Sequence, residues 1–315
     1  MQVDREFCYI FIGGAAKAGT TSLFQYLSDH PEVCGTIIKE TGFFLDDDLP
    51  FPYPRKINYK DGIHEFCNYF FDCKNAEFRL EATPTYLYSP GTPERILNSS
   101  FSRIIWIFIL REPISRLVSC YRFFKQIGKL QKDASFRRYV EKQFEFGEWV
   151  GSKCLVTGRY SKYLPKFLDL FSRKDIQIVG FEQLNHKPSE VLKGISKNIG
   201  IDPSFYDTYE FQILNPTIAV KRRWLHNLYV GISRRFSQRY FLNNPEIRTI
   251  ITTLRKFGEP AYLRINQGQN EVVEIPDDLL NRLEEYYLPE KEALSQLLSI
   301  EKFNWDFKIQ ERTFD

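Results

Sequence analysis

One stretch near the start of the chain constrains the fold more than any other: residues 9–23, Tyr-Ile-Phe-Ile-Gly-Gly-Ala-Ala-Lys-Ala-Gly-Thr-Thr-Ser-Leu. An apolar run stops at paired glycines, and hydroxyl residues then open a segment with apolar residues at helical spacing. This order predicts a strand, a glycine loop and a helix start. Glycines let a ligand approach the backbone, and a helix N-terminus favours an anion. The stretch therefore predicts a phosphate cradle, to which Lys17 adds a mobile charge.

The loop differs from the ATP-binding Walker A loop, in which the lysine directly follows the last glycine. Here Lys17 precedes Gly19 by two positions. The most apolar later strand, expected over 103–110, ends in Arg111, where a kinase would need an aspartate for magnesium. An arginine at that place suits a second phosphate instead. For the loop alone, a glycine turn that binds nothing is the plainer alternative.

Strand and helix patterns alternate from this loop to about residue 200. The segment 103–110 is apolar almost throughout, as expected for a central parallel strand buried on both faces. We therefore predict an α/β fold of the P-loop type, with a mostly parallel sheet flanked by helices on both faces and a helical C-terminal extension.

The length of 315 residues allows one elaborated α/β domain or two smaller ones. We predict a single domain over 1–315, with a nucleotide-binding α/β core over about 7–200 and a helical, acceptor-side part over about 201–315. The helical part contains a basic run, Lys221-Arg222-Arg223, which is either a solvated face or part of an acidic-substrate cleft.

Charge and cysteine content narrow the function classes. Lys and Arg number 43 against 40 Asp and Glu, a net charge of +3, whereas a nucleic-acid-binding protein is usually more basic. The chain shows neither a signal-like start nor an apolar run of membrane-spanning length, so we expect a cytoplasmic location. Six scattered cysteines without a CxxC pair predict neither a metal site nor a disulfide framework, and Cys67 and Cys73, close in sequence, are expected to be reduced.

Three features converge on one chemistry. The loop around Lys17 is the first, and Arg111 with Ser119, one to two turns into the next helix, is a candidate for a second anion site. The third is Glu40, which follows Lys39 among apolar residues and would be a stronger base if partly desolvated. A surface ion pair is the plainer alternative for that segment. Together the features describe an enzyme that transfers an anionic group from a bis-phosphorylated nucleotide.

These residues resemble the sulfotransferases that use 3'-phosphoadenosine 5'-phosphosulfate (PAPS). The loop 17–22 looks like their 5'-phosphosulfate loop, and 111–121 looks like their 3'-phosphate motif. Further stretches resemble the heparan sulfate branch and its bacterial relatives: His30-Pro31, Lys39-Glu40 with Phe43-Phe44, Tyr59-Lys60-Asp61-Gly62, Glu81 to Tyr86, Gly158-Arg159-Tyr160 and Leu298 to Trp305. The resemblance covers about residues 7–200 well and the rest weakly.

The resemblance implies roles for individual residues. Lys17 would stabilise the leaving phosphate and Glu40 would take the proton from the acceptor. The implied cofactor-binding residues are Lys17, Ala18, Gly19, Thr20, Thr21, Ser22, Arg111, Ser119 and Tyr160. The implied cofactor is PAPS, with 3'-phosphoadenosine 5'-phosphate (PAP) as its product, and no metal is required.

The implied reaction is an in-line transfer of the sulfuryl group to an acceptor hydroxyl of a glycan, a glycolipid or a small alcohol. Animal heparan sulfate enzymes carry a lysine where this chain has Ala82, which argues against a highly sulfated polysaccharide. Two alternatives remain open: a P-loop kinase for a small metabolite, and a catalytically silent module that binds a nucleotide or a glycan. The sequence leaves the acceptor and the oligomeric state open.

Overall fold

Five parallel strands form the sheet on which the site is built. They are β1 (Cys8–Gly14), β2 (Val33–Gly35), β3 (Phe78–Ala82), β4 (Arg103–Leu110) and β5 (Ile176–Gly180), in the order β2-β3-β1-β4-β5. The computed structural model describes residues 7–49, 57–70, 73, 76–131, 133–146, 153–212, 225, 272–299 and 313–314. The strand order, with β1 at the centre and every pairing parallel, confirms the predicted α/β class.

Helices flank the sheet and connect its strands. Their bounds are α1 Thr20–Ser28, α2 Ile63–Cys67, α3 Thr92–Leu97, α4 Pro113–Gln126, α5 Phe136–Phe146, α6 Pro165–Leu170, α7 Phe181–His186, α8 Pro188–Ile199 and α9 Asp277–Leu298. Short 3-10 turns cover Tyr59–Asp61, Pro84–Tyr88, Val156–Gly158, Tyr160–Lys162, Arg173–Asp175 and Pro203–Asp207. A two-residue pair, β6 (Val273–Glu274) and β7 (Thr313–Phe314), runs antiparallel.

Apolar side chains on the central strands explain why the sheet forms where it does. Residues 105–110 of β4 are all buried, as a strand covered on both faces requires. The ring centroid of Trp106 lies 5.2 Å from that of Phe11 on β1, and Phe11 packs in turn against Phe44 and Phe66. Aromatic residues make up 16% of the sequence, and these rings help to build the core.

Two helices differ from the sequence expectation. An aromatic helix is expected over about 61–71, but α2 spans only Ile63–Cys67 after a short 3-10 turn. The helix expected from Tyr163 begins at Pro165, since a proline fits the first helical position, where no backbone N–H is needed. Neither difference moves a candidate site residue.

The chain forms two compact units. The first comprises Met1–Arg116, Val156–Leu214 and Asn281–Lys308, and it contains the whole five-stranded sheet. The second comprises Leu117–Leu155, Asn215–Leu280 and Ile309–Asp315. The expected single domain and its division near residue 200 stay predictions, and the basic run at Lys221 lies outside the described residues.

The second unit has an aromatic centre of its own. The phenol of Tyr121 on α4 donates a hydrogen bond of 2.7 Å to the carbonyl of Ala134. Its ring packs on those of Phe136 and Tyr139 from α5, with centroids 5.4 and 5.7 Å apart. The amide oxygen of Gln143, buried on α5, accepts from the backbone N–H of Leu155.

The expectation of reduced cysteines is wrong at one pair. Cys34 on β2 is disulfide-bonded to Cys73, with Cα atoms 5.7 Å apart, so the partner of Cys73 is not its sequence neighbour Cys67. The two partners are 39 residues apart in sequence, so neither adjacency nor a CxxC spacing marks them. The pairing follows from the parallel sheet, which brings edge strand β2 beside β3 and the segment leading into it.

Two features are absent from the part of the chain that the structure describes. Within that part of the chain, no helix is both long enough and apolar enough to cross a bilayer. The same residues contain no group of three or more His, Cys, Asp or Glu side chains placed to hold a metal ion.

Candidate active site

The glycine loop leaves the centre of the sheet and is tied to the neighbouring strand. The N–H of Ala15 donates to the carbonyl of Ile109 on β4 at 2.7 Å, and that of Ala18 donates back to Ala15 at 3.2 Å. Gly19 is the N-cap residue of α1 and has a left-handed backbone, with φ of 83°. These contacts give the predicted strand, loop and helix in one continuous turn at the carboxyl edge of the sheet.

Two glycines of this turn leave no room for a side chain. A Cβ on Gly13 would lie 2.6 Å from Cε1 of Phe108, and one on Gly19 would lie 2.8 Å from Cδ2 of Phe181. Only glycine adopts the positive φ of Gly19 without strain. The glycines therefore let the loop backbone pack directly against the rings of Phe108 and Phe181, which fixes the entry into α1.

The N-terminus of α1 has the chemistry of an anion site. Within the described residues, no side chain caps the helix, and its first turn contains no acidic residue. Free backbone N–H groups and the positive end of the helix dipole therefore face the loop. Ala18 and Thr20 are buried, whereas Thr21 and Ser22 are partly exposed, and Ser22 also forms a side-chain hydrogen bond with Tyr26.

Lys17 lies within this turn in an unusual backbone conformation. Its φ is 67°, in the left-handed region that costs a residue with a Cβ free energy. Such conformations persist only where the surrounding structure holds them, and they cluster at functional sites. The lysine is partly exposed, which leaves its charge able to reach a ligand at the N-terminus of α1.

Arg111 lies directly after β4, beside the loop. Its Nη1 donates to the carbonyl of Lys17 at 3.4 Å, and its Cζ lies 4.5 Å above the ring of Phe181. The structure thus places the guanidinium of Arg111 on the backbone of Lys17, although the sequence assigns these two residues to separate anion sites. The aromatic ring of Phe181, which sequence reasoning missed, sets the plane of the guanidinium.

Tyr160 contacts the main chain of this arginine. The tyrosine is fully buried, and its hydroxyl donates to the carbonyl of Arg111 at 2.8 Å. Burial raises the pKa of the phenol well above its usual range, so the hydroxyl stays a donor at physiological pH. In this structure Tyr160 orients Arg111 through the main chain rather than presenting its own ring to solvent.

Arg116 is a buried cation that the sequence analysis did not select. Its Nε donates to the carbonyl of Ala16 in the loop at 3.0 Å, and its Nη2 donates to Thr157 Oγ1 at 2.8 Å and to the Tyr88 hydroxyl at 3.3 Å. Its exposed fraction is 1%, and its Cζ lies 5.8 Å from the ring centroid of Tyr160. The available signal was an arginine with apolar residues on the same helix, at Ile114, Leu117 and Val118.

Glu112 fixes the start of α4. Its carboxylate accepts from the backbone N–H groups of Ile114 and Ser115, at 2.8 and 2.6 Å, as a helix-capping side chain does. Its own N–H donates to Glu182 at 3.1 Å. Burial raises the pKa of Glu112, and the neighbouring Glu182 raises it further. This cap holds the chain direction just after Arg111.

Glu40 lies on the opposite side of the loop. Its N–H donates to the carbonyl of Ala82 at 2.9 Å, and Ala82 pairs in the sheet with Ile12 of β1. Its backbone is left-handed, with φ of 66°, and its carboxylate forms a 2.6 Å ion pair with Lys39. The side chain is 35% exposed, so it faces solvent rather than the core.

The fully buried carboxyl at this edge is that of Glu81, which sequence reasoning did not select. Its Oε1 accepts from the N–H of Thr41 at 3.1 Å, from the Thr41 hydroxyl at 2.9 Å and from the Thr83 hydroxyl at 2.6 Å. Burial raises the pKa of Glu81 to about 7, against which these bonds and Lys39 act. The segment that carries Glu40 is thus anchored on a titratable group.

The sheet order places these groups in a row along the carboxyl edge. Glu40 rests on the end of β3, the loop with Lys17 follows β1, and Arg111 follows β4. Ser119 lies on α4, in the second compact unit, and is 8% exposed. Its role as a phosphate ligand stays a prediction.

The fold and this edge define an α/β protein of the P-loop type, in which a glycine loop leads from the central strand into a helix N-terminus and an arginine follows the neighbouring strand. The model of the sulfotransferase domain family matches residues 9–215. The chain therefore belongs to this family of PAPS-dependent sulfotransferases, which confirms the predicted enzyme class and sulfuryl donor. Membership of this family speaks against the small-metabolite kinase.

Individual relatives agree with the family. The chain is 26% identical over 262 residues to heparan sulfate glucosamine 3-O-sulfotransferase 5 of Mus musculus, which covers 81% of this chain and 70% of the relative. It is 25% identical over 206 residues to the bifunctional heparan sulfate N-deacetylase/N-sulfotransferase 4 of Mus musculus, covering 61% of this chain. The chain spans only 22% of that second relative's length.

A solved structure shows the same fold. The sulfotransferase from Alicyclobacillus acidocaldarius superposes with a TM-score of 0.62 at 19% identity, covering 93% of this chain and 96% of that chain. At this identity the likeness concerns the fold alone. The acceptor and the roles of single residues have to be argued from the site.

Proposed function

We propose that this protein transfers the sulfuryl group of PAPS to a hydroxyl of a glycan, a glycolipid or a related small alcohol. The observation that carries the proposal is the N-terminus of α1, which no side chain of the described residues caps, preceded by a turn that requires glycine at 13 and 19 and flanked by Arg111 on one side and Glu40 on the other. The turn fits a phosphate because its N–H groups and the helix dipole complement an anion.

The residues would divide the donor between two subsites. Backbone amides from Ala18 to Thr21, with the hydroxyls of Thr20, Thr21 and Ser22, would hold the 5'-phosphosulfate end. Arg111 and Ser119 would hold the 3'-phosphate, because a guanidinium offers a planar fork of donors and a serine adds a short contact. Tyr160 would act by keeping Arg111 in place.

The bound donor supplies an activated sulfuryl group, and the protein contributes positioning and charge. Lys17 would stabilise the negative charge that develops on the leaving phosphate, as preorganised cations do in related group transfers. Glu40 would accept the proton of the attacking hydroxyl. Its Oε1 is paired with Lys39, so we assign the proton to the other carboxylate oxygen, Oε2.

The acceptor is proposed as a chemical class, whereas the donor is a single compound. Both relatives are named for heparan sulfate, which favours a saccharide as the carrier of the acceptor hydroxyl. Ala82 adds no positive charge at the edge beside Glu40, which favours an acceptor with few sulfate groups. The cytoplasmic location stays a prediction, and a disulfide such as Cys34–Cys73 is more typical of oxidising compartments.

The test compares ligands by thermal denaturation. PAP should raise the melting temperature in a concentration-dependent manner, whereas ATP with magnesium should not, because only PAP carries both phosphates that the two subsites require. Sulfuryl transfer from PAPS is then measured against a panel of sugars and small alcohols. Stabilisation by ATP alone would overturn the proposal. Stabilisation by PAP with every acceptor inert would favour the silent binding module.

A further inference from the structure

We propose that Glu81 is the positioning residue for Glu40: its buried carboxyl holds the turn that carries the base, and it holds that turn more tightly when ionised. This inference rests on the proposed function for its catalytic meaning. The structural part concerns only the chain's own contacts, so it can be tested without donor or acceptor.

The geometry of the turn carries the first step. Residues 40–43 are held against the end of β3 by successive hydrogen bonds, and two of them end on Glu81. Thr41 donates to Oε1 through both its N–H and its hydroxyl. The Thr83 hydroxyl also donates to Oε1 while accepting from the N–H of Gly42 at 3.1 Å. One carboxyl oxygen therefore anchors, directly or through one hydroxyl, the two residues that follow Glu40.

The backbone of Glu40 explains why the turn needs an anchor. Its φ of 66° lies in the left-handed region, which a residue with a Cβ leaves unless its neighbours hold it. Its own N–H is fixed on Ala82, and the next two N–H groups are fixed on Glu81 and Thr83. Loosening the Glu81 contacts would let the turn relax and would move the Glu40 carboxylate.

The two carboxyl oxygens of Glu81 differ in their hydrogen bonds. All three donors converge on Oε1, whereas the buried Oε2 has no hydrogen-bond partner among the described residues. A proton on Glu81 therefore resides on Oε2 and leaves the three bonds in place. Ionisation changes their strength rather than their pattern, because hydrogen bonds to a carboxylate are about twice as strong as those to a neutral acceptor.

Several groups near Glu81 determine the pH at which its carboxyl ionises. Burial raises the pKa of Glu81 to about 7, and the hydroxyl donors and Lys39 work in the opposite direction. The neighbouring phenols of Tyr69 and Tyr86 both have pKa values raised by burial and by the Glu81 charge, so they stay neutral donors. Glu40 adds a second negative charge on the same segment. Compared with these two phenols, Glu81 is the group whose charge changes near neutral pH.

Amide hydrogen–deuterium exchange of the 40–44 segment tests the inference directly. In the wild type, protection of the Thr41 and Gly42 amides, corrected for intrinsic exchange, should rise about fivefold to tenfold between pH 6 and pH 8. Glu81→Gln should remove this pH dependence, since its amide oxygen accepts the same bonds without changing charge. Glu81→Ala should expose both amides at either pH.

Asp46→Asn is the matched control. Asp46 is also a largely buried carboxylate, it accepts from the Ser89 hydroxyl and the Gly91 N–H, and it anchors the same loop beyond the turn. It should lower stability but keep the wild-type pH dependence of exchange at Thr41. Identical pH dependence in the wild type and Glu81→Gln, or unchanged protection in Glu81→Ala, would overturn the proposal.

Steady-state kinetics test whether Glu81 affects the reaction rate. With the acceptor that gives the fastest wild-type rate, Glu81→Ala should lower kcat about tenfold to a hundredfold, since small displacements of a catalytic group cost rates of that order. Its Kd for PAP should stay close to the wild-type value. Wild-type kcat should rise through about pH 7, and Glu81→Gln should flatten that rise.

The two arms separate the inference from the proposed function. If PAP leaves the melting temperature unchanged but exchange follows the predicted pattern, the proposed function fails and the anchoring role of Glu81 stands. If the wild type transfers sulfuryl groups and Glu81→Ala keeps its kcat, the proposed function stands and the positioning role is wrong.

Discussion

The loop after β1 and the turn that carries Glu40 lie at adjacent strand ends, yet they are held in different ways. The loop is fixed by backbone bonds, by close packing at Gly13 and Gly19, and by Arg116, which is charged at every physiological pH. The turn is fixed by Glu81, whose pKa is raised by burial to about 7. Donor binding should therefore be insensitive to pH near neutrality, whereas placement of the base should not.

The largest expected effect lies on the loop side. Lys17→Ala should lower the rate of sulfuryl transfer about a hundredfold or more, because it removes a preorganised charge that stabilises the leaving phosphate. The fold-loss should be similar at pH 6.5 and pH 8. Lys193→Ala, which removes an exposed pair with Asp207, is the control and should transfer at the wild-type rate. Normal turnover in Lys17→Ala would refute the assigned role.

The next effect concerns the turn and appears in stability rather than rate. Glu81 binds its proton more tightly in the folded protein than its ordinary pKa of 4.5 allows. Between about pH 4.5 and 7 the folded state therefore holds more protons, and the free energy of global unfolding falls as pH rises. Local opening of the turn has the opposite pH dependence, because it breaks hydrogen bonds that favour the ionised carboxyl while Glu81 stays buried.

Glu81→Gln does not titrate and should escape this loss. The difference in free energy of unfolding between this variant and the wild type should shift in favour of the variant by at most about 3 kcal/mol from pH 5 to pH 8. Urea denaturation at the two pH values measures this shift. A constant difference between the two proteins at both pH values would show that Glu81 does not titrate there.

The smallest of the three effects returns to the loop. Arg116→Gln should lower the free energy of unfolding by about 2 kcal/mol, because the carbonyl of Ala16 and the hydroxyls of Tyr88 and Thr157 lose a buried donor. Since arginine does not titrate, the loss should be equal at pH 5 and pH 8. Arg137→Gln, at an exposed pair with Asp278, should leave the denaturation midpoint near that of the wild type. A pH-dependent loss in Arg116→Gln would remove the contrast between loop and turn.

Sequence reasoning reached the loop side more completely than the turn. The apolar run of β4 and the glycine-to-hydroxyl transition before α1 are local patterns, and both elements have the bounds that those patterns predict. Arg111 follows from its place at a strand end. These features could be read because each depends on residues adjacent in the chain.

The long-range contacts that hold the site in place could not be predicted from such local patterns. The bonds from Glu81 to Thr41, from Arg116 to Ala16 and between Cys34 and Cys73 join residues 39 to 100 positions apart. Periodicity shows that such side chains are near a core, but it does not show which partner they meet. The register of the parallel sheet decides those pairings, and no single segment encodes it.

Contacts of α9 define how short a working fragment of this protein can be. The family match ends at residue 215, but Glu290 of α9 accepts from the N–H and hydroxyl of Ser161, at 2.7 and 2.6 Å. A Cβ on Gly158 would lie only 2.8 Å from the Tyr287 hydroxyl. Truncation at the family boundary would therefore uncover the support beneath Arg111, so an expression fragment needs to extend through Leu298.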